Sequence, residues 1–242
     1  MLADMSKYLA VVPARGGSKR IPRKNIREFA AQPMISWPIR TLIESELFED
    51  IVVSTDDVEV ADIAKSYGAS VPFIRTAELS DDLTPTVPVI NHTIAEMGKL
   101  GKTYDAVLCV YATSVFVTTS DIKLALEMLN SANQVGYVSG IVRYGHPIQR
   151  ALQMDSNGKV SMVSPENSLI RTQDLEDRFH DSGEFYWGRV SAWMSGASPL
   201  TSTLGLVLPS WRVVDIDTEE DWARAEMTHR HLSSSGLEGH QS

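Results

Sequence analysis

The stretch "YLAVVPARGGSKRIPRKN" (residues 8–25) joins a short apolar run to a pair of glycines and a cluster of cations. The run "YLAVV" (8–12) is rich in β-branched residues, which predicts a buried strand. Gly16 and Gly17 follow, and glycine lets a backbone approach a ligand closely. Five cations then occur within the same loop: Arg15, Lys19, Arg20, Arg23 and Lys24. The sequence therefore predicts a basic loop at the end of a buried strand.

The overall charge of the chain has the opposite sign. The 242 residues carry a formal net charge of -9. Nucleic acids and anionic membranes require a basic surface, so the composition argues against both as the main partner. It leaves room for a local basic site that binds a small anion. The length is sufficient for one sizeable hydrophobic core.

The single cysteine and the sequence pattern at the N-terminus help to predict the cellular location of the protein. Cys109 lies in the apolar run "AVLCVYA", and one cysteine forms no internal disulfide, which fits a reducing cytosol. No segment approaches the roughly 20 apolar residues that span a bilayer. The N-terminus lacks the pattern of a signal peptide. We therefore expect a cytoplasmic protein with a disordered polar tail over about residues 233–242.

Strand and helix patterns alternate from the first strand to about residue 142. Apolar runs at 50–55, 106–112 and 135–142 predict further buried strands, and amphipathic patterns between them predict helices. Continuous apolar strands between amphipathic helices are typical of a parallel sheet that helices cover on both faces. The expected fold class is α/β, with a Rossmann-like, mainly parallel sheet.

The pattern changes over about residues 143–190. Asn157-Gly158 between two short runs predicts a hairpin within this excursion. The segments "EFYWGRV", "LGLVLP" and "WRVVDI" then predict strands, and Thr218 with Asp221 predicts a capping box that begins a last helix. The chain contains no internal repeat or linker, which indicates one domain over residues 1–242.

The basic loop has the chemistry of a polyphosphate site. Ligands of open α/β sheets bind at the carboxyl ends of the strands, where this loop lies. Its amides can point at an anion, Ser18 adds a hydroxyl, and arginine can grip phosphate oxygens with two hydrogen bonds. The loop matches neither G-x-x-x-x-G-K-[ST] nor G-x-G-x-x-G. The alternative is a solvated basic turn.

Two acidic residues in "VVDIDTEEDW" form a candidate metal site. Asp215 and Asp217 alternate along a predicted strand end, so both can face the same edge of the sheet. Mg²⁺ is usually held by one or two carboxylates together with phosphate oxygens and water. The alternative role of Asp217 is to cap the start of the last helix.

A polar and aromatic stretch, "QDLEDRFHDSGEFYWG" (173–188), is a candidate sugar site. A sugar needs hydrogen-bonding groups at its rim and an aromatic surface beneath it, and this stretch supplies both. The alternative is an interface or surface loop anchored by Phe185 and Trp187.

Five motifs together resemble a known family. "ARGGSKRIPRKN", "VSTDD", "YATS", "RTQDLEDRFHDSGEFYWG" and "DIDTEEDW" are similar to the motifs of cytidylyltransferases that activate nonulosonic, sialic-acid-like sugars. The similarity covers about residues 7–230 with the motifs in the same order. The opening motif is typical of the whole CMP-sugar synthetase group, whereas "HDSGEFYWG" points to its pseudaminic acid branch.

The resemblance implies a reaction and a set of site residues. The family transfers CMP from CTP to a nine-carbon acidic sugar with release of pyrophosphate, uses Mg²⁺, and forms homodimers through an extended segment. The catalytic candidates are Arg15, Lys19 and Lys24, and the metal candidates are Asp215 and Asp217. The nucleotide-binding candidates are Arg15, Ser18, Lys19, Arg23, Lys24, Asn25 and Asp56. The sugar-binding candidates are Gln173, His180, Asp181 and Tyr186.

Two departures from the sialic acid enzymes bear on the sugar. Ala112 occupies the position of a glutamine that contacts the sugar there, and His180-Asp181-Ser182-Gly183 replaces Arg-Pro-Asn-Gly. Both changes favour pseudaminic acid, and CMP-N-acetylneuraminic or CMP-legionaminic acid synthesis is the alternative. A catalytically silent nucleotide-binding protein on the same fold is an alternative of another class. The sequence identifies no general base, and for His180 a structural or sugar-binding role is favoured.

Overall fold

The computed structural model describes residues 6–81, 83–132, 134–201 and 203–235. The strands are β1 (Tyr8–Pro13), β2 (Glu28–Phe29), β3 (Gln32–Pro33), β4 (Asp50–Ser54), β5 (Ala106–Val110), β6 (Tyr137–Arg143), β7 (Leu152–Met154), β8 (Val160–Met162), β9 (Phe179–Arg189) and β10 (Thr203–Val207). The α-helices are α1 (Ser36–Ser45), α2 (Val58–Ser66), α3 (Thr86–Lys99), α4 (Thr119–Ser131), α5 (Val190–Met194) and α6 (Glu219–Ser235).

Six strands form the central sheet, in the order β10-β6-β9-β5-β1-β4. The pairs β10–β6, β5–β1 and β1–β4 are parallel, whereas β9 runs antiparallel to both of its neighbours. The prediction of a mainly parallel α/β sheet is therefore confirmed. The sequence pattern did not reveal that β9 is reversed, because a strand buried on both faces reads the same in either direction.

The core lies on both faces of this sheet. Alternate residues of β1 point to opposite sides: Ala10 and Val12 join the larger cluster with α1, α2 and α4, and Leu9 and Val11 join the cluster under α3 and α5. All four side chains are fully buried. The first strand is therefore central to the core, and its carboxyl end is held rigidly.

A bulge interrupts the pairing of β9 with β6. The bulge lies between the residue pairs Ser139–Tyr186 and Ile141–Asp181. Five residue steps on β9 therefore lie opposite two residue steps on β6. Gly183 lies within this bulge at a φ of 68°, a conformation that glycine adopts without steric cost. Bulges often redirect side chains next to functional sites. This one lies where β9 reaches the carboxyl ends of β5 and β1.

The predicted strand at 211–216 is wrong. Ser210–Arg212 form a 3-10 turn, and residues 213–217 are irregular. Side chains replace the strand ladder there, because Lys24 Nζ donates to the carbonyl of Ile216 (2.7 Å) and Asp217 N–H donates to Asp221 (3.2 Å). The apolar residues of the segment are still buried, since Val214 and Ile216 pack in a third cluster around Phe29.

The excursion and the last helix complete the fold. The hairpin predicted at Asn157-Gly158 is confirmed as β7–β8, and the Thr218–Asp221 capping box is also present. The predicted excursion ends too late, because β9 joins the central sheet from Phe179 onward. Residues 233–235 of the predicted tail belong to α6, and 236–242 lie outside the described residues. Within the described ranges, no helix is both long and apolar enough to cross a membrane.

Candidate active site

A cleft of about 270 Å³ opens at the carboxyl ends of β1 and β5. The loop after β1 contributes six polar residues to its lining: Arg15, Ser18, Lys19, Arg20, Lys24 and Asn25. The rest of the lining includes Arg75, Tyr111, Thr113 and Asp217. Five of the seven nucleotide-binding candidates thus line one cleft, and Arg23 and Asp56 lie outside its lining.

Two contacts fix the backbone of the loop after β1. The N–H of Gly16 donates to Asp56 Oδ1 (3.0 Å), and the side chain of Asn25 donates to the carbonyl of Arg15 (2.9 Å). A β-carbon on Gly16 would lie 2.4 Å from Asp57 Oδ2, so no larger residue fits there. Asp56 and Asn25 therefore support the cleft through the backbone of the loop.

Arg23 turns away from the cleft toward the start of α2. Its backbone has a φ of 56°, and its guanidinium forms a bidentate pair with Asp57 (2.5 and 3.2 Å) and a further pair with Glu59. The hydrogen bond from Arg23 lowers the pKa of Asp57, which also caps α2 by accepting from Val60 N–H (3.0 Å). This cation anchors the loop to α2.

Two other loop cations converge on Asp217. Arg20 Nη2 lies 2.7 Å from Asp217 Oδ2, and Lys24 Nζ lies 3.1 Å from Oδ1. The two ends of the chain meet here, since the pairs join residues separated by nearly 200 positions. The predicted phosphate-binding lysine and a predicted metal ligand are therefore direct neighbours.

Asp215 lies near Asp217 but is not itself part of the cleft lining. Its carboxylate carbon is 3.7 Å from the position of a β-carbon on Gly183, so the bulge of β9 packs close to it. Partial loss of solvent, together with the negative charge of Asp217, raises the pKa of Asp215. Two neighbouring carboxylates, one of them in the lining of a basic cleft, are a donor set that suits Mg²⁺, although the described residues contain no cluster of three or more ligands.

Arg75 is a cleft residue that the sequence analysis missed. Its side chain is 4% exposed, its Nε donates to Ser80 (3.2 Å), and its Nη2 lies 3.8 Å from Asp56. Burial lowers the pKa of this guanidinium, Asp56 partly offsets that effect, and the charge of Arg15 lowers it further. A buried cation with one distant carboxylate is suited to receive an anion. "FIRTAEL" gives no signal of this role, because the residues of the cleft are distant in sequence.

Aromatic and acidic side chains extend the cleft toward β9. Tyr111, on the cleft wall, hydrogen-bonds to Thr86 (2.5 Å), and its ring meets that of Tyr186 edge to face at 6.0 Å. The hydroxyl of Tyr186 donates to Asp181. Burial raises the pKa of both phenols, so each keeps its proton and can donate a hydrogen bond. Two of the four sugar-binding candidates, Asp181 and Tyr186, therefore connect to the cleft.

The other two sugar-binding candidates lie farther out. His180 is exposed, and its ring lies 4.9 Å from that of Tyr144. Gln173 is exposed on the turn Thr172–Asp174. Neither residue is part of the cleft lining. Sequence proximity to Asp181 did not bring them to the cleft: His180 pairs with Val142 of β6, and Gln173 precedes β9.

A buried acid lies behind the cleft wall. Glu184 is 2% exposed, and its Oε2 has no hydrogen-bond partner. Its carbonyl accepts from Tyr111 N–H (3.0 Å) and from Ser114 Oγ (2.8 Å), so it holds the loop after β5. Burial raises the pKa of Glu184 to about 8, against the opposing charge of Arg212.

Comparison with known sequences identifies proteins similar to this chain. A family model described as cytidylyltransferase matches residues 9–192. The chain is 37% identical over 227 residues to the pseudaminic acid cytidylyltransferase of Campylobacter jejuni subsp. jejuni, covering 93% of this chain and 97% of the relative. It is 33% identical to the CMP-N,N'-diacetyllegionaminic acid synthase of Legionella pneumophila, covering 91% and 95% of the two chains.

Solved structures share the fold at low sequence identity. A CMP:2-keto-3-deoxy-manno-octonic acid synthetase complexed with CTP superimposes with a TM-score of 0.67 at 15% identity, covering 93% of this chain and all of the other. At that identity the likeness concerns the fold alone. The family match over most of the chain, together with relatives of equal length, shows that this protein is a nucleotidyltransferase and belongs to the cytidylyltransferase family.

Proposed function

We propose that this enzyme transfers CMP from CTP to pseudaminic acid and releases pyrophosphate. The observation that carries the proposal is the 37% identity, over 93% of the chain, to a relative named for this activity. Asp181 next to Tyr186 supports it, because the acid belongs to the "HDSG" segment that differs from the sialic acid enzymes.

The loop after β1 would bind the triphosphate. The oxygen of the sugar's anomeric hydroxyl attacks the α-phosphorus while the bond to the leaving pyrophosphate breaks, and negative charge spreads over the phosphate oxygens. Arg15, Lys19, Lys24 and the buried Arg75 line the cleft and can neutralise this charge. Fixed charges in a partly dry cleft stabilise such a transition state more strongly than water does.

Asp215 and Asp217 would hold the divalent cation. Bound there with the phosphates, Mg²⁺ would add positive charge beside the reacting oxygens. Asp217→Asn keeps a similar shape, so we expect a folded protein whose turnover falls by roughly a hundredfold, the scale of losing one electrostatic stabiliser. Circular dichroism and turnover over a range of Mg²⁺ concentrations measure both effects. Normal turnover at limiting Mg²⁺ would remove Asp217 from the metal site.

A panel of sugars tests the substrate. Steady-state pyrophosphate release is measured with CTP and, in turn, pseudaminic, N-acetylneuraminic and N,N'-diacetyllegionaminic acid. We expect kcat/KM to be highest for pseudaminic acid by orders of magnitude, because a polar pocket rejects analogues that leave its groups unpaired. Equal values for N-acetylneuraminic acid contradict the choice of sugar. No release with any sugar favours the silent nucleotide-binding alternative.

Variants of the β9 segment locate the sugar site. Asp181→Asn removes the charge that accepts from Tyr186, and we expect it to raise KM for the sugar more than KM for CTP. His180 is exposed beside Tyr144, and His180→Ala tests whether the outer residues also contact the sugar. A change confined to CTP kinetics in the Asp181 variant contradicts the sugar assignment.

We further propose that the β7–β8 hairpin forms a homodimer contact. The excursion exposes an apolar surface that a monomer would leave in water: Leu152 (64%), Met154 (71%), Val160 (51%) and Val163 (56%). Large exposed apolar patches usually mark contact sites. Light scattering after gel filtration should give a dimer mass, and Met154→Glu should shift it toward the monomer. Met227→Glu, on α6 and similarly exposed (60%), is the matched control.

The cytoplasmic location remains a prediction. Its support is the lone cysteine, Cys109, which is fully buried and whose thiol pKa is raised by that burial. A thiol of this kind is unreactive and needs no oxidising compartment.

A further inference from the structure

Both carboxylate oxygens of Asp217 are occupied by cations of the loop after β1. Arg20 Nη2 lies 2.7 Å from Oδ2, and Lys24 Nζ lies 3.1 Å from Oδ1. A divalent cation needs the same oxygen lone pairs, and the two positive charges repel it. In this arrangement Asp217 is closed to a metal ion, although Asp215 beside it completes a suitable donor set.

The same two cations also line the cleft. A triphosphate offers them more negative charge than one carboxylate does, and arginine can bind phosphate with two parallel hydrogen bonds. Arg20 and Lys24 therefore have two alternative anionic partners, which lie at the same end of one cleft. One partner belongs to the protein, and the other arrives with the nucleotide.

We propose that Arg20 and Lys24 exchange Asp217 for the triphosphate, and that this exchange opens Asp217 to the metal ion. The proposal rests on the proposed function, in which CTP occupies this cleft and the metal ion binds Asp215 and Asp217. Nucleotide and metal ion then each favour binding of the other, since both require the two ion pairs to be broken.

Arg20 is the residue that can move most readily. Its side chain is 66% exposed, compared with 19% for Lys24, and exposed ion pairs contribute little stability. Lys24 is held more firmly, because its Nζ also donates to the carbonyl of Ile216 (2.7 Å). Arg20 thus acts as a positioning residue that controls access to Asp217, and removing it should uncover the acid without disturbing the loop.

The first test measures Mn²⁺ binding to the nucleotide-free protein by the loss of the free-ion EPR signal. Arg20→Gln should bind Mn²⁺ roughly five- to tenfold more tightly than wild type, because one nearby positive charge is gone. Arg40→Gln makes the same charge change on α1, where Arg40 contacts Gln32 and Trp37, and should behave like wild type. The gain should vanish in Arg20→Gln/Asp217→Asn. Equal affinities of wild type and Arg20→Gln would overturn the exchange.

The second test contains no metal. In EDTA, calorimetry should show that Asp217→Asn binds CTP at least about threefold more tightly than wild type, because Arg20 and Lys24 no longer have to leave a carboxylate. Asp62→Asn removes an equal charge from α2, where Asp62 lies outside the cleft lining and pairs with Lys65, and it should leave the affinity unchanged. An unchanged or weaker affinity of Asp217→Asn overturns the exchange.

The two tests separate failure of the exchange from failure of the metal assignment. A Mn²⁺ gain in Arg20→Gln that persists in the double variant would place the ion elsewhere and reject the metal site of the proposed function. The EDTA measurement involves no metal ion, so it judges the exchange alone.

Discussion

Replacing Gly16 by alanine should damage the cleft, whereas the same change at Gly17 should not. A β-carbon on Gly16 would lie 2.4 Å from Oδ2, 2.7 Å from Cβ and 2.9 Å from Cγ of Asp57, whereas one on Gly17 meets no atom within 4 Å. Asp57 cannot move at little cost, because it caps α2 and holds the bidentate pair with Arg23. Overpacking of this kind typically costs about 1–3 kcal/mol.

The cost should appear in stability, in CTP binding, or in both. For a domain of this size, about 1–3 kcal/mol lowers Tm by roughly 2–10 °C. If the loop moves instead, the hydrogen bond from Gly16 N–H to Asp56 is lost and CTP affinity falls. Differential scanning calorimetry and CTP titration of wild type and the two alanine variants measure both. Indistinguishable Tm and affinity for Gly16→Ala and Gly17→Ala would refute the reasoning.

Three further changes test other parts of the structure. The unfolded chain deprotonates Glu184 near pH 4.5 and the folded protein keeps the proton to about pH 8, so stability should fall as the pH rises through this window. Glu184→Gln should flatten that slope, and at pH 8 its free energy of unfolding in urea should exceed that of wild type by more than about 1 kcal/mol. Ala31 has a φ of 64°, so Ala31→Gly should stabilise by about 0.5–1 kcal/mol; an equal or lower urea midpoint contradicts this. Arg75→Lys should lower the affinity for CTP by about tenfold and that for cytidine little, because lysine cannot form two parallel hydrogen bonds to phosphate. Equal losses of affinity for the two ligands in calorimetry would assign Arg75 to the base.

Most of the fold could be predicted because its signals are local. The apolar runs at β1, β4 and β5, the amphipathic faces of α2 and α4, and the hairpin turn at Asn157-Gly158 each lie within a dozen residues. The segment 211–216 misled the prediction, because its β-branched residues are as apolar as those of a strand. Its backbone bonds instead to side chains such as Lys24, whose partner is 192 positions away. No local pattern encodes a contact of that kind.

The candidate site could be predicted in composition but not in arrangement. The five loop cations look equivalent in the sequence, and the structure separates them. Arg23 is used to anchor α2, and Arg20 and Lys24 are paired with Asp217, whereas Arg15 lines the cleft near Arg75. The separation depends on carboxylates that come from distant segments. Arg75 could not be found from the sequence for the same reason.

The reversed strand explains why the candidate sugar-binding and nucleotide-binding residues lie close together. Parallel strands bring only their carboxyl ends to the cleft, so a parallel β9 would deliver Arg189 there. Because β9 is antiparallel, Phe185 pairs with Val110 and the bulge just before it lies beside the last residues of β5. This places Tyr186 against Tyr111, and Gly183, within the bulge, against Asp215. One strand direction therefore brings the proposed sugar-binding segment next to both the cleft wall and the candidate metal ligands. Under the proposed function, we expect the choice of sugar to depend on β9 and not on the loop after β1.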